Sequence, residues 1–205
     1  MADVTISQLT QGTPIGNSSI PFSTGTSTNR ALISALPVDY SSIVNSPSRA
    51  CITYDLASGT AGGSAAASSW TSRSLNTIIY NQNNIVKDLT LGRRWWLGAG
   101  NYILEAEGIF FNDNNSQNNA MHRILKVEPT AAVVAGGLSV RSHLATGSSG
   151  AYSSKVTPTL VSLSELSSFE LQYWLSGPRG NSYDLGFPVS SGLMERYAQV
   201  YITKV

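Results

Sequence analysis

Two histidines, His122 and His143, and a single cysteine, Cys51, are the side chains that could support nucleophilic or zinc chemistry in this sequence. Neither histidine lies in a motif such as Gly-x-Ser-x-Gly, and serine is so common here that a serine near a histidine carries no information. A zinc site needs three or four ligands at workable spacing, which these three residues do not supply. The sequence therefore predicts no catalytic residue, no metal site and no cofactor, and we expect a protein that is not an enzyme.

One pair of carboxylates has the spacing of a second kind of chemistry. Glu105 and Glu107 are two residues apart, so they share a face of any strand that contains them. Glycosidases use two carboxylates across a sugar, which leaves an enzyme acting on surface polysaccharide as an alternative. Alternating glutamates on the solvent side of an amphipathic strand explain the same pattern, and we prefer this interpretation.

A run rich in asparagine, residues 111–119, is a candidate ligand loop. Its side-chain oxygens could hold calcium or bind sugar hydroxyls, and they come from Asp113, Asn114, Asn115 and Asn118. One carboxylate is few for calcium, and asparagine is also common in turns because it tolerates left-handed backbone. Both the ligand loop and the plain turn stay open.

The composition argues against several classes of partner. The 205 residues include 13 Lys and Arg and 12 Asp and Glu, for a net charge of +1, and the basic residues are scattered. This gives no field that would attract nucleic acid. No uninterrupted apolar run reaches 18 residues, so we expect no membrane insertion. The start of the sequence has no secretion signal, which predicts synthesis in a cytoplasm.

Residues 1–48 differ from the rest of the chain. They are rich in Ser, Thr, Gly, Pro and Asn and carry no charge between Asp3 and Arg30, yet apolar residues recur throughout. We interpret the segment as an extended, mostly irregular arm whose apolar residues dock into pockets on a partner; a disordered tail is the alternative. The predicted docking residues are Val4, Ile6, Leu9, Ile15, Ile20, Phe22, Leu32 and Leu36.

Residues 49–205 have the pattern of an all-β domain. Short runs rich in β-branched and aromatic residues alternate with Gly, Ser and Asn turns, and no stretch of eleven residues shows a helical period. The predicted strands are CITYDL, NTIIY, RRWWL, NYILEAEGIFF, HRILKVE, LSVRSHL, TPTLVSL, FELQYWL and YAQVYITKV, and the stretch 58–69 is a predicted loop. Period-two alternation predicts two inward faces, one of Tyr102, Leu104, Ala106, Gly108 and Phe110 and one of Phe169, Leu171, Tyr173 and Leu175. Eight or nine strands in about 155 residues favour a jelly-roll sandwich over a seven-stranded immunoglobulin domain. Cys51 cannot form an internal disulfide, and we expect it to be buried as a small apolar residue.

The last strand suggests a subunit interface. Ala198, Val200 and Ile202 alternate as an inward face, and we expect Tyr197, Gln199 and Tyr201 on the outward face, which is too aromatic for a surface that meets only water. Trp95 and Trp96 are adjacent, so one ring must point inward and the other outward. We assign the outward ring, Trp96, to the same interface.

Two parts of the sequence resemble known families. The opening segment VTISQLTQGTPIGNSSIPFSTGTSTNRALISALPVDY is similar to the attachment segments of tailed-bacteriophage fibre and other small virion proteins. The runs LGAGNYILEAEGIFF, FELQYWLSG and ERYAQVYITKV resemble the trimeric jelly-roll heads of the complement-globular and tumour-necrosis-factor type. The resemblance implies a homotrimer, located in the virion, that binds other virion proteins through its arm. No collagen-like or heptad repeat lies between arm and head, so no long shaft is expected.

These expectations combine into one function with one main alternative. The first is a short trimeric tail fibre or spike, attached by residues 1–48, whose head binds a host surface polysaccharide. The alternative is a capsid decoration or cement protein that stabilises the capsid of the particle. Copy number per particle separates the two.

Overall fold

The computed structural model describes residues 19–24, 27–32, 47–66, 68–90, 92–112, 119–141, 149–177 and 181–205, the first two ranges by their backbone. The chain divides into two compact units, Met1–Ser46 and Pro47–Val205. Sequence analysis placed the division after residue 48.

The first unit contains a β-hairpin. Strands β1 (Ser19–Thr24) and β2 (Ser27–Leu32) pair antiparallel, with Ser19 opposite Leu32. The arm was expected to be mostly irregular, and this hairpin is an addition to that description. Ile20 and Phe22 lie in β1 and Leu32 lies in β2. The other predicted docking residues, Val4, Ile6, Leu9, Ile15 and Leu36, fall outside the described residues.

The second unit is a sandwich of two antiparallel sheets. Its strands in the described ranges are β3 (Ser48–Leu56), β4 (Thr71–Ser72), β5 (Thr77–Asn81), β6 (Val86–Thr90), β7 (Arg94–Leu97), β8 (Gly100–Asn112), β9 (Asn119–Glu128), β10 (Ala132–Gly136), β11 (Val140–Arg141), β12 (Gly150–Leu163), β13 (Ser167–Leu175) and β14 (Glu195–Lys204). A 3₁₀ turn at Gln82–Asn84 separates β5 from β6. No helix in this part of the chain has the length and apolar character needed to cross a membrane.

The strand order is that of a jelly roll, as the sequence predicted. The five-stranded sheet runs β12-β8-β14-β3-β5, and the seven-stranded sheet runs β10-β9-β13-β7-β6, with β11 paired to β9 and β4 paired to β13. From β7 through β9, and again from β12 through β14, successive strands alternate between the two sheets. This alternation lets both inner faces contribute to one core.

The main core lies between the sheets. Trp95 of β7 stacks on Phe169 of β13, with ring centroids 5.9 Å apart, and aliphatic residues such as Ile52, Leu104 and Val200 surround them. A second, smaller cluster comprises Phe110, Ala120, Tyr173, Leu175 and Leu185. The expected split of the tryptophan pair is confirmed, since Trp95 is buried and Trp96 is half-exposed.

Period-two alternation predicted the inward residues of β8 and β13 correctly. Tyr102, Leu104, Ala106 and Phe110 of β8 are buried, as are the inward residues of β13. Gly108 continues the inward face of β8 beneath a histidine: a Cβ at this position would lie 2.4 Å from Nε2 of His122. The close packing of the imidazole explains why this position of the strand holds glycine.

Several shorter strands were not predicted. The sequence gives β6 and β10 no strong alternation, and both are stabilised by pairing at the edges of the seven-stranded sheet. The Gly, Ala and Ser stretch 58–69 contains no strand in its described residues, as expected. Of the expected strand LSVRSHL, residues 138–141 are described, and only Val140–Arg141 form a strand, β11.

Candidate functional site

The outer face of the five-stranded sheet carries two tyrosines in one row of side chains, and we call this surface the tyrosine face. The register places Tyr80 of β5 opposite Cys51 of β3, Cys51 opposite Tyr201 of β14, and Tyr201 opposite Glu105 of β8. Residues opposite one another in antiparallel strands project to the same side. A single row of side chains therefore crosses four strands.

A second row runs beside the first and is polar. Thr53, Gln199 and Glu107 are opposite one another on β3, β14 and β8, and Lys155 of β12 follows. Lys155 Nζ lies 3.5 Å from Glu107 Oε2. Glu105 and Glu107 thus share a face, as predicted, and Glu107 is engaged in an ion pair.

Three adjoining recesses cover the tyrosine face. The largest, about 360 Å³, is lined by Arg49, Tyr80, Glu105, Tyr201 and Thr203 among others. The second, about 230 Å³, shares Glu105 and Tyr201 with the first and reaches the bulge of β12 at Thr157 and Pro158. The third, about 180 Å³, shares Glu107 with the second and includes Gln199 and Arg196. Together the three recesses make the tyrosine face a continuous, uneven surface that a partner of complementary shape could fill.

Three side chains of the first row favour their neutral forms. Burial raises the pKa of Cys51, Tyr80 and Tyr201. Cys51 is 3% exposed, which confirms the expectation that it is buried. A buried thiol with a raised pKa is a poor nucleophile. The tyrosine face is therefore suited to binding, through burial of its aromatic side chains and hydrogen bonds with Gln199, Glu105 and Glu107.

The edge strand β5 carries exposed apolar residues: Tyr80 lies on the tyrosine face, whereas Ile78 is opposite the core residue Ile52 and projects to the inner side. Ile78, Ile79 and Tyr80 are all exposed, each by more than a third of its area. Sequence analysis identified the run as a strand and did not assign it to the interface. The signal was present, since three large apolar residues in a five-residue strand exceed what one inward face can bury.

Tyr197 does not belong to the tyrosine face, and its predicted place there is wrong. Arg196 is opposite Asp55 and Ala198 is opposite Tyr54, so Tyr197 is the extra residue of a β-bulge. Its side chain is 4% exposed, and the single proton of its hydroxyl is shared between hydrogen bonds to Thr60 O and to the Glu195 carboxylate. One inserted residue shifts the alternation, which directs Tyr197 inward while Gln199 and Tyr201 keep the expected face.

Trp96 lies on the opposite layer of the sandwich. It projects from the outer face of the seven-stranded sheet, where its Nε1 donates to Thr90 Oγ1 at 3.3 Å. Trp96 and Tyr201 therefore do not form one patch on a single chain. Their assignment to an interface stays a prediction for each separately.

A polar network on the same outer face of the seven-stranded sheet explains why Glu170 and Gln172 are nearly buried. Arg94 donates to Glu170 at 3.1 Å and to Glu128 at 2.9 Å, and Arg123 donates to Gln172 at 2.8 Å. The Arg123 guanidinium also lies 4.0 Å from the centroid of the Trp70 ring. These contacts connect the neighbouring strands β7, β13 and β9 and so stabilise the sheet.

His122 and Arg73 form a polar part of the interior that sequence analysis did not foresee. The His122 ring packs 4.7 Å from the Phe110 ring, and neither ring nitrogen has a partner among the described residues. Burial, reinforced by the positive charge of Arg73, lowers the pKa of His122 to about 3. Burial also lowers the pKa of Arg73 to about 10; its Nη2 donates to the backbone oxygens of Leu185 and Tyr197. Neither side chain is accessible to a substrate in the folded chain.

The Glu195 carboxylate organises the loops at one end of the sandwich. Its Oε1 accepts from the backbone N–H groups of Gly59, Val189 and Ser190, at 2.9, 3.0 and 2.7 Å. These hydrogen bonds, led by that from Gly59, lower the pKa of Glu195 to about 2. Gly59 is 136 residues away along the chain, so no local pattern could have identified this role.

The predicted ligand loop is not tested. Asp113, Asn114, Asn115 and Asn118 lie outside the described residues, as does His143. Within the ranges that are described, no group of three or more His, Cys, Asp or Glu residues is placed to hold a metal ion.

Comparison with known proteins adds a likeness of fold. No family model matches the sequence, and no curated protein matches it. Among solved structures, murine APRIL at pH 5.0 is similar with a TM-score of 0.45 at 7% identity, over 78% of this chain and 99% of that chain. Murine APRIL at pH 8.5 gives 0.44, with the same identity and coverage. At this identity the likeness assigns no residue a role.

Proposed function

We propose that this chain is a structural protein of a tailed-bacteriophage virion, a short trimeric fibre or spike that attaches to the particle through residues 1–48. The sandwich then projects toward the host, where it acts by binding. When three heads bind the host together, their individually weak contacts give a higher overall affinity, or avidity.

The observation that carries the proposal is the tyrosine face. It combines a half-exposed tyrosine row, an apolar edge strand and three joined recesses on one layer of the sandwich. Tyr is enriched in subunit interfaces because it buries a large ring and keeps a polar tip. We assign Tyr80, Gln199 and Tyr201 to contacts with neighbouring copies around a threefold axis.

The character of the arm supports the docking role. Between Asp3 and Arg30 no side chain is charged, and the arm forms a unit separate from the sandwich. An uncharged segment with recurring apolar residues is suited to pockets on another virion protein. Binding of a host glycan through the 113–118 loop remains part of the proposal on sequence grounds alone.

Deleting residues 2–36 tests the docking role. Because the sandwich is a compact unit beginning at Pro47, the shortened protein should fold and assemble with the same number of subunits as the full chain. It should nevertheless be absent from purified particles when it replaces the full chain in an infected culture. Quantitative mass spectrometry of the particles gives both incorporation and copy number.

Two results would contradict this account. Normal incorporation of the shortened protein would exclude docking through the arm. Hundreds of copies of the full chain per particle would identify it as a capsid decoration protein and not a spike, since a fibre is present in far fewer copies.

Replacing Tyr80 and Tyr201 together with serine tests the tyrosine face. Loss of two buried rings from each of three interfaces should raise the dissociation constant of the assembly by roughly a hundredfold or more. Light scattering coupled to size exclusion reports the absolute mass under reducing conditions. The control is Tyr183→Ser, which removes a half-buried tyrosine from a loop outside the face and should leave the number of subunits unchanged. Equal masses for the double variant and the control would place these rings in solvent.

A further inference from the structure

The regular pairing of β9 is interrupted beside His122. β10 and β11 both pair with β9, and the residues between them, 137–139, leave that ladder. There the chain turns toward the other sheet, and Gly137 forms an isolated bridge with Val156 of β12. The backbone of His122 is therefore held by contacts other than a continuous strand.

Hydrogen bonds between the two sheets replace the ladder, and we call Gly137, Leu138 and Ser154 the clasp. Gly137 donates its backbone N–H to His122 O at 2.8 Å, and Leu138 donates to Lys155 O at 2.8 Å. Ser154 Oγ accepts from the His122 N–H at 3.1 Å and donates to Leu138 O at 2.9 Å. The clasp thus connects β9 of one sheet with β12 of the other.

The imidazole of His122 lies on the inner side of the clasp. The ring packs on β8, where a Cβ at Gly108 would lie 2.4 Å from Nε2. Gly108 is opposite Ser154 in the pairing of β8 with β12. The ring is fully buried, and both of its nitrogens lack hydrogen-bond partners within the described part of the chain. The clasp therefore adjoins a polar group that water would hydrate on entry.

The surroundings of the ring disfavour its charged form. The positive charge of Arg73 acts on it in addition to burial. Tyr173 of β13 is opposite His122, and Tyr152 of β12 packs on the same Phe110 ring as the imidazole. Tyrosine carries no charge at acidic pH. The charged residues nearest to the ring along the surrounding strands project from the outer faces of the sheets, and they are Glu107, Arg123 and Lys155.

Two adjacent glycines allow the clasp to open while the strands stay paired. A Cβ at Gly136 would meet nothing within 4 Å, so the chain can rotate just before the clasp. A Cβ at Gly137 would lie 2.5 Å from His122 O, so the closed contact depends on glycine. Opening breaks the hydrogen bonds of the clasp and leaves the ladders of β8, β9, β12 and β13 intact. Such an opening requires less free energy than unfolding of the sandwich.

We propose that the clasp opens transiently in the folded chain and that acidification favours its open form by adding a proton to His122. The closed clasp keeps the imidazole dry and neutral, whereas the open clasp admits water and a proton from solvent. An exposed imidazole has a pKa near 6.5, so each unit of pH below this value should raise the opening constant by up to about tenfold. The device consists of contacts within one chain, so it is independent of the proposed virion function.

Amide hydrogen exchange of the full chain at pH 7.5 and pH 4.5 tests the proposal. Protection factors, which correct for the intrinsic effect of pH, should be lower for Gly137 and Leu138 than for Leu104 and Val200, whose strands are paired on both sides. The protection of the two clasp amides should fall by roughly a hundredfold between these pH values. Low concentrations of urea should leave it unchanged, because a local opening exposes little surface.

Variants separate the clasp from the titrating ring. Ser154→Ala removes two hydrogen bonds of the clasp and should lower the protection of both clasp amides by roughly tenfold at each pH, with the same fall on acidification. The matched control is Ser162→Ala, which changes an exposed serine of the same strand and should leave protection unchanged. His122→Leu should abolish the fall with pH.

Three results would overturn the proposal. Equal protection of the clasp amides and of Leu104 and Val200 at both pH values would mean that His122 gains its proton only when the whole chain unfolds. Clasp protection that does not change with pH would mean that opening does not expose the ring. An undiminished fall in His122→Leu would assign the pH dependence to another group. The first two results come from the wild-type chain, so the test does not depend on the folding of any variant.

Discussion

Acidification from pH 6.5 to pH 4.5 should destabilise the sandwich by roughly 2 to 3 kcal/mol through His122 alone. In the folded chain the imidazole stays neutral down to a pKa of about 3, whereas in the unfolded chain it takes up a proton near pH 6.5. The unfolded state therefore binds more protons throughout this range, and stability falls as the pH falls. The full contribution of the neutral imidazole to the free energy of unfolding is present above pH 6.5.

The pH range from 6.5 to 4.5 distinguishes the contribution of His122 to stability from the contributions of the carboxylates. Asp55, Glu170 and Glu195 have lowered pKa values, so each adds stability that is lost only as the pH falls below the usual carboxyl range of 3.8 to 4.5. His122→Leu removes the titrating ring and should give a nearly flat unfolding free energy between pH 6.5 and 4.5. Urea titrations at one protein concentration measure both curves. A wild-type protein equally stable at both pH values would show that His122 is not buried as described.

Gly186→Ala should be among the most damaging single substitutions, at roughly 3 kcal/mol or more. Gly186 has a φ of 135°, a conformation that residues with a side chain rarely adopt. A Cβ there would also lie 2.0 Å from Cδ1 of Tyr197. The Tyr197 ring cannot easily move aside, because its hydroxyl is bonded to Thr60 O and to Glu195.

Two other glycines separate the causes of this loss. Gly192 has a φ of 83° with open space around it, so Gly192→Ala should cost about 1 kcal/mol from backbone strain alone. Gly136 has neither a positive φ nor a neighbour within 4 Å, and Gly136→Ala should be close to neutral. Thermal unfolding of the three variants should rank them in this order. A Gly186→Ala protein as stable as the Gly136→Ala protein would contradict the described position of Tyr197.

Alternation along the strands was enough to predict the sandwich and most of its inner face. The patterns of β8 and β13 survive unchanged because both strands are paired on both sides along most of their length. β14 kept the pattern from Ala198 onward and lost it one residue earlier. The bulge that turns Tyr197 inward is set by the pairing of Arg196 with Asp55, in which two hydrogen bonds of 2.8 and 2.9 Å fix the register.

The polar interior and the loop geometry could not be predicted from local sequence. Arg73 contacts the backbone of Leu185 and Tyr197, which are 112 and 124 residues away, and Glu195 binds Gly59 across 136 residues. Such partners are brought together only by the crossing of strands between sheets. The apolar residues of the loop 187–194 stand in the sequence as FPVSSGLM, but their position depends on the hydrogen bonds from Val189 and Ser190 to Glu195.

The absolute mass of the purified full-length chain in dilute solution, under reducing conditions, is the most direct test of the proposed assembly. A stable species of three times the 21.8 kDa chain mass is the result expected from a covered tyrosine face. A monomer or a dimer at micromolar concentration would contradict the threefold spike, while leaving the sandwich fold unaffected.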